Sequence, residues 1–282
     1  MMVTPDSRPA KGIRGMGSIF PLVFIVFFLT NPACRQAGDT ATTLTIAGST
    51  SVQPFAEKLA ETYMAAHPGL AINVQGGGST AGVRAAETGA AQIGMSSRHL
   101  KEGEQALRQV TIALDGIAII VNAANPVAGL TRAEVAAIFA GKTPRWNSVG
   151  GLDRPIHFVT REEGSGTRGA FEEMVMGKTE IAPRALVQDS NGAVREIVAS
   201  DPDALGYISL GLVDRRVRAL AVDGVLPTHE TILAKNYAVV RPFLFLSREE
   251  PTGAARAFID YVLGPEGQRL LSLEGLIPVL QP

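Results

Sequence analysis

Cysteine is almost absent: Cys34 is the only one in 282 residues, so no internal disulfide can form. Charge imbalance is missing too, with a formal net charge of −1 and acidic and basic residues interspersed. That excludes the basic face a nucleic-acid binder would normally present. Aromatics make up only 6% of the chain, while Ala, Val, Ile, Leu and Gly abound, as in an ordinary α/β globule. No cluster of His, Cys, Asp and Glu has metal-ligand spacing, and no cofactor motif survives inspection, so neither a metal nor a cofactor is expected. The chain is long enough to bury a sizeable core, in one large domain or two smaller ones.

Long apolar runs are scarce as well. The one near the N-terminus, Ile19 to Leu29, is too short for a comfortable membrane span and follows Arg8, Lys11 and Arg14. A basic segment followed by about a dozen apolar residues reads as an export signal. Asn31, Pro32, Ala33 and Cys34 come next, and a lone cysteine there resembles the bacterial lipoprotein signal. The resemblance implies that Cys34 is acylated and becomes the mature N-terminus. Ala33 fits that pattern; Asn31 departs from the Leu, Val or Ile usual at its position. Residues 35–42 are small and polar and would form a tether, so 1–41 is expected to stand apart from the folded body.

The rest is organised around the stretch from Arg161 to Arg168, which contains Gly164, Ser165, Gly166 and Thr167. Strand-like residues, Ile156 to Thr160, lead into it, and a helix-like run from Gly169 to Met176 follows. Backbone N–H groups at a helix start lack internal partners and lie at the positive end of the macrodipole. Glycine lets such a backbone close around a ligand, Ser165 and Thr167 add hydroxyls, and Arg161 can fork onto an oxyanion. By itself such a turn can equally be a helix cap.

It has company. The strand Leu44 to Ala47 runs into Gly48, Ser49, Thr50 and Ser51 before a helix with Phe55, Leu59, Tyr63 and Met64 at helical spacing. The strand Ala71 to Gln75 opens into Gly76, Gly77, Gly78, Ser79 and Thr80 and a second helix. A third strand, Ala91 to Met95, leads to Ser96, Ser97 and Arg98. Strand, glycine or hydroxyl turn, then helix, repeated, predicts a parallel sheet with ligands beyond the carboxyl ends of its strands. None of these three turns carries a carboxylate, which suits a compact oxyanion and offers no catalyst. Further along, the spacing predicts a strand over 111–121, a helix over 132–139 and a strand over 204–210. A buried strand over 241–246 and a helix with Ala257, Phe258, Tyr261 and Val262 inward follow. Two lobes are expected: 42–121 with 238–282, and 122–237 between them, joined by a hinge around a cleft.

Several motifs fail on inspection. Ala140, Gly141, Lys142 and Thr143 echo a P-loop, but Ala136 stands where its first glycine is needed. Gly76, Gly78 and Ala81 echo a dinucleotide fingerprint, without the acidic residue after the next strand. A serine nucleophile needs a base. Of the four histidines, His67 and His157 read as structural, and only His99, beside Ser97, lies near a hydroxyl turn.

Taken together, the segments around Ser49 to Val52, Gly76 to Gly82, Ile93 to Arg98 and Arg161 to Thr167 resemble the phosphate-binding protein of the high-affinity phosphate ABC transporter. Secondary matches are Ile138 to Lys142 with Trp146, Gly206 with Tyr207, and Arg241 with Pro242. The resemblance runs from about Leu44 to Val279. It implies a two-lobe periplasmic-binding-protein-like α/β fold of type II. It also implies capture of inorganic phosphate without catalysis and delivery to ABC permease subunits, by a monomer outside the cytoplasm. Thr50, Ser51, Ser79, Ser97, Arg161, Ser165, Gly166 and Thr167 would bind phosphate. Many members carry an aspartate where Ser97 stands, which accepts the proton of hydrogen phosphate and repels sulfate; one branch carries serine. A second position, often acidic in the family, is Gln92 here. The charge-based filter against sulfate is therefore missing. The alternatives are a receptor for sulfate, molybdate or a phosphonate, a phosphate sensor uncoupled from transport, and, last, an enzyme of the same fold.

Overall fold

The computed structural model describes residues 42–279. Strands β1 (Thr42–Gly48), β2 (Leu70–Gly76) and β3 (Ile93–Ser96) alternate with helices α1 (Gln53–Ala66) and α2 (Ser79–Thr88). Then come β4 (Arg108–Asn122), α3 (Arg132–Phe139), β5 (His157–Arg161) and α4 (Gly166–Phe171). The chain continues through β6 (Leu186–Gln188), α5 (Asn191–Ser200), β7 (Ala204–Ser209), β8 (Val240–Ser247), α6 (Gly253–Leu263) and α7 (Pro265–Leu273).

The strands order as β2-β1-β3-β8-β4-β7-β5-β6. At one end β1 runs parallel to β2 and β3; at the other, β5 runs parallel to β6 and β7. The middle is different. β8 is antiparallel to both β3 and β4, and β4 is antiparallel to β7. The all-parallel expectation therefore holds only at the two flanks. Its correction lies in β8, which returns from far along the chain and enters the sheet in the opposite direction.

β4 is the strand that joins the two halves. Residues Arg108 to Gly116 pair with β8, whereas Ile117 to Val121 pair with β7. Each half buries its own apolar faces. Ile46, Phe55, Leu59, Phe243, Phe258 and Val262 share one core, and Phe139, Trp146, Phe158, Phe171 and Tyr207 share another. Trp146, the only tryptophan, is buried there and donates its indole N–H to the Asp203 carbonyl at 3.0 Å, which makes it a structural residue.

Some local expectations need correction. Helix α4 begins at Gly166, three residues ahead of the helix-like run, because the Ser165 hydroxyl caps it by accepting the Arg168 N–H. On α6 the buried residues are Ala255, Phe258, Ile259 and Val262, so the inward stripe is rotated from the expected one. Ala257 is exposed and Tyr261 half-buried. His157 is the first residue of β5, and its Nδ1 lies 2.7 Å from an Asp201 carboxylate oxygen. A short helix, His229–Leu233, capped by Thr228, lies between β7 and β8.

Candidate functional site

The turns after β1, β2, β3, β5 and β6 meet at one place. The first brings Ser49, Thr50 and Ser51, the second Gly78 and Ser79, the third Ser97. All these residues belong to the half of the sheet around β1. From the other half come Arg161 to Thr167 after β5, and Asn191 after β6. The positive φ of 138° at Gly48 lets the first turn leave β1 sharply, so that Gly48 receives the Gly78 N–H and Ser49 donates its own to Met95.

Hydrogen bonds run directly between the halves. Ser51 Oγ and Thr167 Oγ1 are 2.7 Å apart, and Asn191 Nδ2 donates to Ser51 Oγ at 2.8 Å. Arg161 Nη2 donates to Thr50 Oγ1 at 3.1 Å, and the Thr80 N–H donates to the Gly164 carbonyl at 3.1 Å. Gly166 fits against the opposite wall so closely that a Cβ there would lie 2.6 Å from Ser97 Oγ. Ser97 Oγ in turn accepts the Ser49 hydroxyl at 2.9 Å. Ser49, Ser51, Ser79, Ser97, Arg161, Ser165, Thr167 and Asn191 are all buried. Burying this many polar groups is costly unless each is bonded.

One is not fully bonded. Arg161 is 1% exposed, and its Nη1 has no partner. Its other edge is occupied. Nε and Nη2 each reach the Glu162 carboxylate at 3.0 Å, and the carbonyls of Gln188 and Asp189 take further bonds. The expected fork onto an oxyanion is thus corrected: the bidentate edge holds Glu162, and Nη1 is the end left for a ligand. A buried cationic N–H without an acceptor is what an anion would complete.

Behind Arg161 stands Tyr207. Its hydroxyl lies 2.7 Å from Thr160 Oγ1 and receives the Arg161 N–H at 3.4 Å. Its ring stacks on Phe171 with centroids 4.0 Å apart. Burial pushes the phenol up to about 12, with Thr160 and the Arg161 N–H opposing, so it stays neutral and fixes the strand end. Arg98 is nearly buried and is held by Glu104 through two bonds of 2.7 and 2.9 Å.

Of the residues singled out in the sequence, Thr50, Ser51, Ser79, Ser97, Arg161, Gly166 and Thr167 come together here, with the Ser165 hydroxyl spent on the helix cap. Gln92 does not. It is exposed at the opposite end of β3 from Ser97, where its side-chain carbonyl accepts the Thr45 N–H at 2.7 Å. His99 is exposed, and its backbone carbonyl takes a bond from Arg98. Cys34 lies outside the described residues. Sequence reasoning missed Asn191, and also Asp115, whose partner Arg241 is far along the chain. It also quoted Ser49 in a motif without giving it a role. Among the described residues no group of His, Cys, Asp and Glu is arranged to hold a metal ion, and no helix is long and apolar enough to cross a membrane.

Residues 35–266 match the PBP superfamily domain. The phosphate-binding protein PstS of Bacillus subtilis is 32% identical over 281 residues, covering 93% of each chain. A crystal structure from Clostridium perfringens, described as a phosphate ABC transporter substrate-binding protein with bound phosphate, is 42% identical with a TM-score of 0.83. It covers 85% of this chain and 100% of its own. An ABC-type phosphate transport receptor from Vibrio cholerae is 40% identical with a TM-score of 0.71, over the same shares. The chain belongs to the PBP superfamily, among the substrate-binding proteins that include the PstS phosphate-binding proteins.

Proposed function

We propose that the chain is an extracytoplasmic receptor that captures inorganic phosphate by closing two lobes and hands it to an ABC permease. It carries out no catalysis: the cleft offers donors and a cation, not a nucleophile with its base. The observation that carries the reading is the buried, unpartnered Arg161 Nη1 beside hydroxyls contributed from both halves. Phosphate supplies acceptors on all sides, and closure replaces its water with fixed donors. Thr50, Ser51, Ser79 and Ser97 act from one lobe, and Arg161, Ser165, Gly166 and Thr167 from the other. In this reading the lobes are 42–121 with 238–282, and 122–237, with β4 and β8 as the connections that bend.

The experiment is calorimetric titration with phosphate of protein freed from ligand by unfolding and refolding. Wild type should bind tightly, and Arg161→Ala should bind more weakly by about 2–5 kcal/mol, the range for truncating one side of a buried charged contact. Unchanged affinity in a folded Arg161→Ala protein would misplace the site. In the same reading the protein works as a monomer tethered through acylated Cys34. Stable attachment then takes more than one acyl chain. Cys34→Ser should release the protein from membranes without detergent or leave it unprocessed, and a wild type whose mature N-terminus lies beyond Cys34 would rule the tether out.

A further inference from the structure

Asn191 is the first residue of α5 and is 1% exposed, with its side-chain amide held at both ends. Its Oδ1 receives the backbone N–H of Ser209 at 3.1 Å. A backbone N–H can only donate, so the amide has one orientation, oxygen toward Ser209 and nitrogen toward the opposite half. There Nδ2 donates to Ser51 Oγ at 2.8 Å.

The mounting of this donor is stiff. Ser209 ends β7, pairs with Ile117 on β4 and gives its hydroxyl to Asp115 at 2.8 Å. Upstream of Asn191, the carbonyls of Gln188 and Asp189 receive Arg161 Nε and Nη2 at 3.2 and 3.0 Å. The Ser190 hydroxyl then caps α5 by accepting the Ala193 N–H at 3.1 Å. The Asn191 amide is therefore aimed before the halves meet, and little ordering is left to do when they do. Ser51 belongs to the turn after β1, in the other half, so the bond exists only while the two turns face each other. Thr167 and Arg161 also bond across the cleft, but both are proposed to hold phosphate itself. Asn191 is not, and its contact reports closure alone.

We propose that Asn191 is a closure latch, a positioning residue whose bond to Ser51 slows the release of phosphate without taking part in its capture. This rests on the reading that two lobes close on phosphate. In the open receptor Asn191 and Ser51 are apart, so the rate of encounter is indifferent to their bond. Release requires the lobes to part, and parting breaks it.

The test follows radiolabelled phosphate, chased with unlabelled phosphate, as it leaves wild type, Asn191→Ala, Ser51→Ala and the double variant. Equilibrium dialysis of the same proteins gives Kd, and release rate divided by Kd is the association rate constant. Asn191→Ala should release phosphate roughly threefold to tenfold faster, the range of a single hydrogen bond, with association unchanged. In Ser51→Ala, where the latch has lost its acceptor, Asn191→Ala should add no further acceleration. Asn191→Asp keeps the oxygen that receives the Ser209 N–H and lacks the N–H that reaches Ser51, so it guards against a folding defect. It should release phosphate at least as fast as Asn191→Ala. A folded Asn191→Ala or Asn191→Asp protein with wild-type release overturns the proposal. So does equal acceleration by Asn191→Ala with and without the Ser51 hydroxyl, the result that a purely structural role through Ser209 predicts. A wild type that binds no phosphate fails earlier, at the phosphate reading, and takes the latch with it.

Discussion

Asp115 and Arg241 are direct cross-strand partners, one on β4 and one on β8, and both are sealed from solvent. The Asp115 Oδ2 receives Arg241 Nε at 3.0 Å and Nη2 at 2.9 Å, and Oδ1 receives the Ser209 hydroxyl at 2.8 Å. Arg241 Nη1 donates to the Ser97 carbonyl at 3.1 Å. The pair sits one residue before β4 changes neighbours, so it ties the third hydroxyl turn to the strand that joins the halves. Burial pushes the Asp115 carboxyl up, opposed by Arg241 and Ser209.

Breaking that pair from one side should be costly. Asp115→Asn or Arg241→Met leaves a buried charge without its partner and should destabilise by about 3–5 kcal/mol. The double replacement Asp115→Leu with Arg241→Met should recover much of the loss, because no charge is then stranded. Urea unfolding of all three decides it. Single variants within experimental error of wild type would show that the pair contributes little.

Gly166→Ala tests closure. The added methyl would stand 2.6 Å from Ser97 Oγ, against a wall contributed by the other half. The helix start itself tolerates alanine, so the protein should fold. Phosphate affinity should fall at least tenfold, about 1.4 kcal/mol. Small-angle scattering at saturating phosphate should give a larger radius than wild type. An unaltered affinity would mean that the halves do not approach at this point when ligand binds.

The Arg98–Glu104 pair gives a pH dependence. Side-chain bonding from Arg98 holds the Glu104 carboxyl below its ordinary value, with burial opposing. A lowered folded-state value means stability present above the ordinary carboxylate range and lost as pH falls through the folded value. Glu104→Gln should therefore be less stable than wild type near neutrality, with the gap closing toward acid. Thermal melts of both proteins across that range measure it. A gap independent of pH would assign the effect to packing.

How much of this was legible in the sequence follows from the range of each interaction. The hydroxyl turns after β1, β2 and β5 are local patterns, strand then glycine or serine then helix, and those elements read correctly from residues alone, whereas the turn after β3 leads on to β4. Helix α3 is bounded as its spacing predicts, with Thr131 and Glu134 forming the cap. The antiparallel centre of the sheet was not legible, because β4 and β8 are separated by a whole lobe of intervening chain. For the same reason Asp115 and Asn191 looked unremarkable: each acquires its meaning from a partner distant in sequence. Ser49 sat in plain view, but the direction of its hydrogen bond depends on Ser97 across the sheet. Gln92 misled in the opposite way, since its position in a family pattern did not bring it to the cleft. The stripe of α6 slipped because Ala257 and Ile259 are both apolar, and only the packing of Phe258 against Tyr63 and Phe245 fixes which way it faces.

The place of β8 in the sheet also governs the order in which the molecule can assemble. β1, β2 and β3 are made early, yet the edge of β3 at Gly94, Met95 and Ser96 finds its partner only in Leu244 to Leu246, near the end of the chain. Until that strand arrives, a buried apolar edge stands open, and such edges invite pairing with other chains. The intervening half, by contrast, has its strands β5, β6 and β7 close together in sequence. Contacts closed over so long a loop form slowly, and the open species is the one exposed to aggregation. A chain truncated before Val240 would therefore lack the strand that pairs with both β3 and β4, and every molecule in the course of synthesis passes through that state.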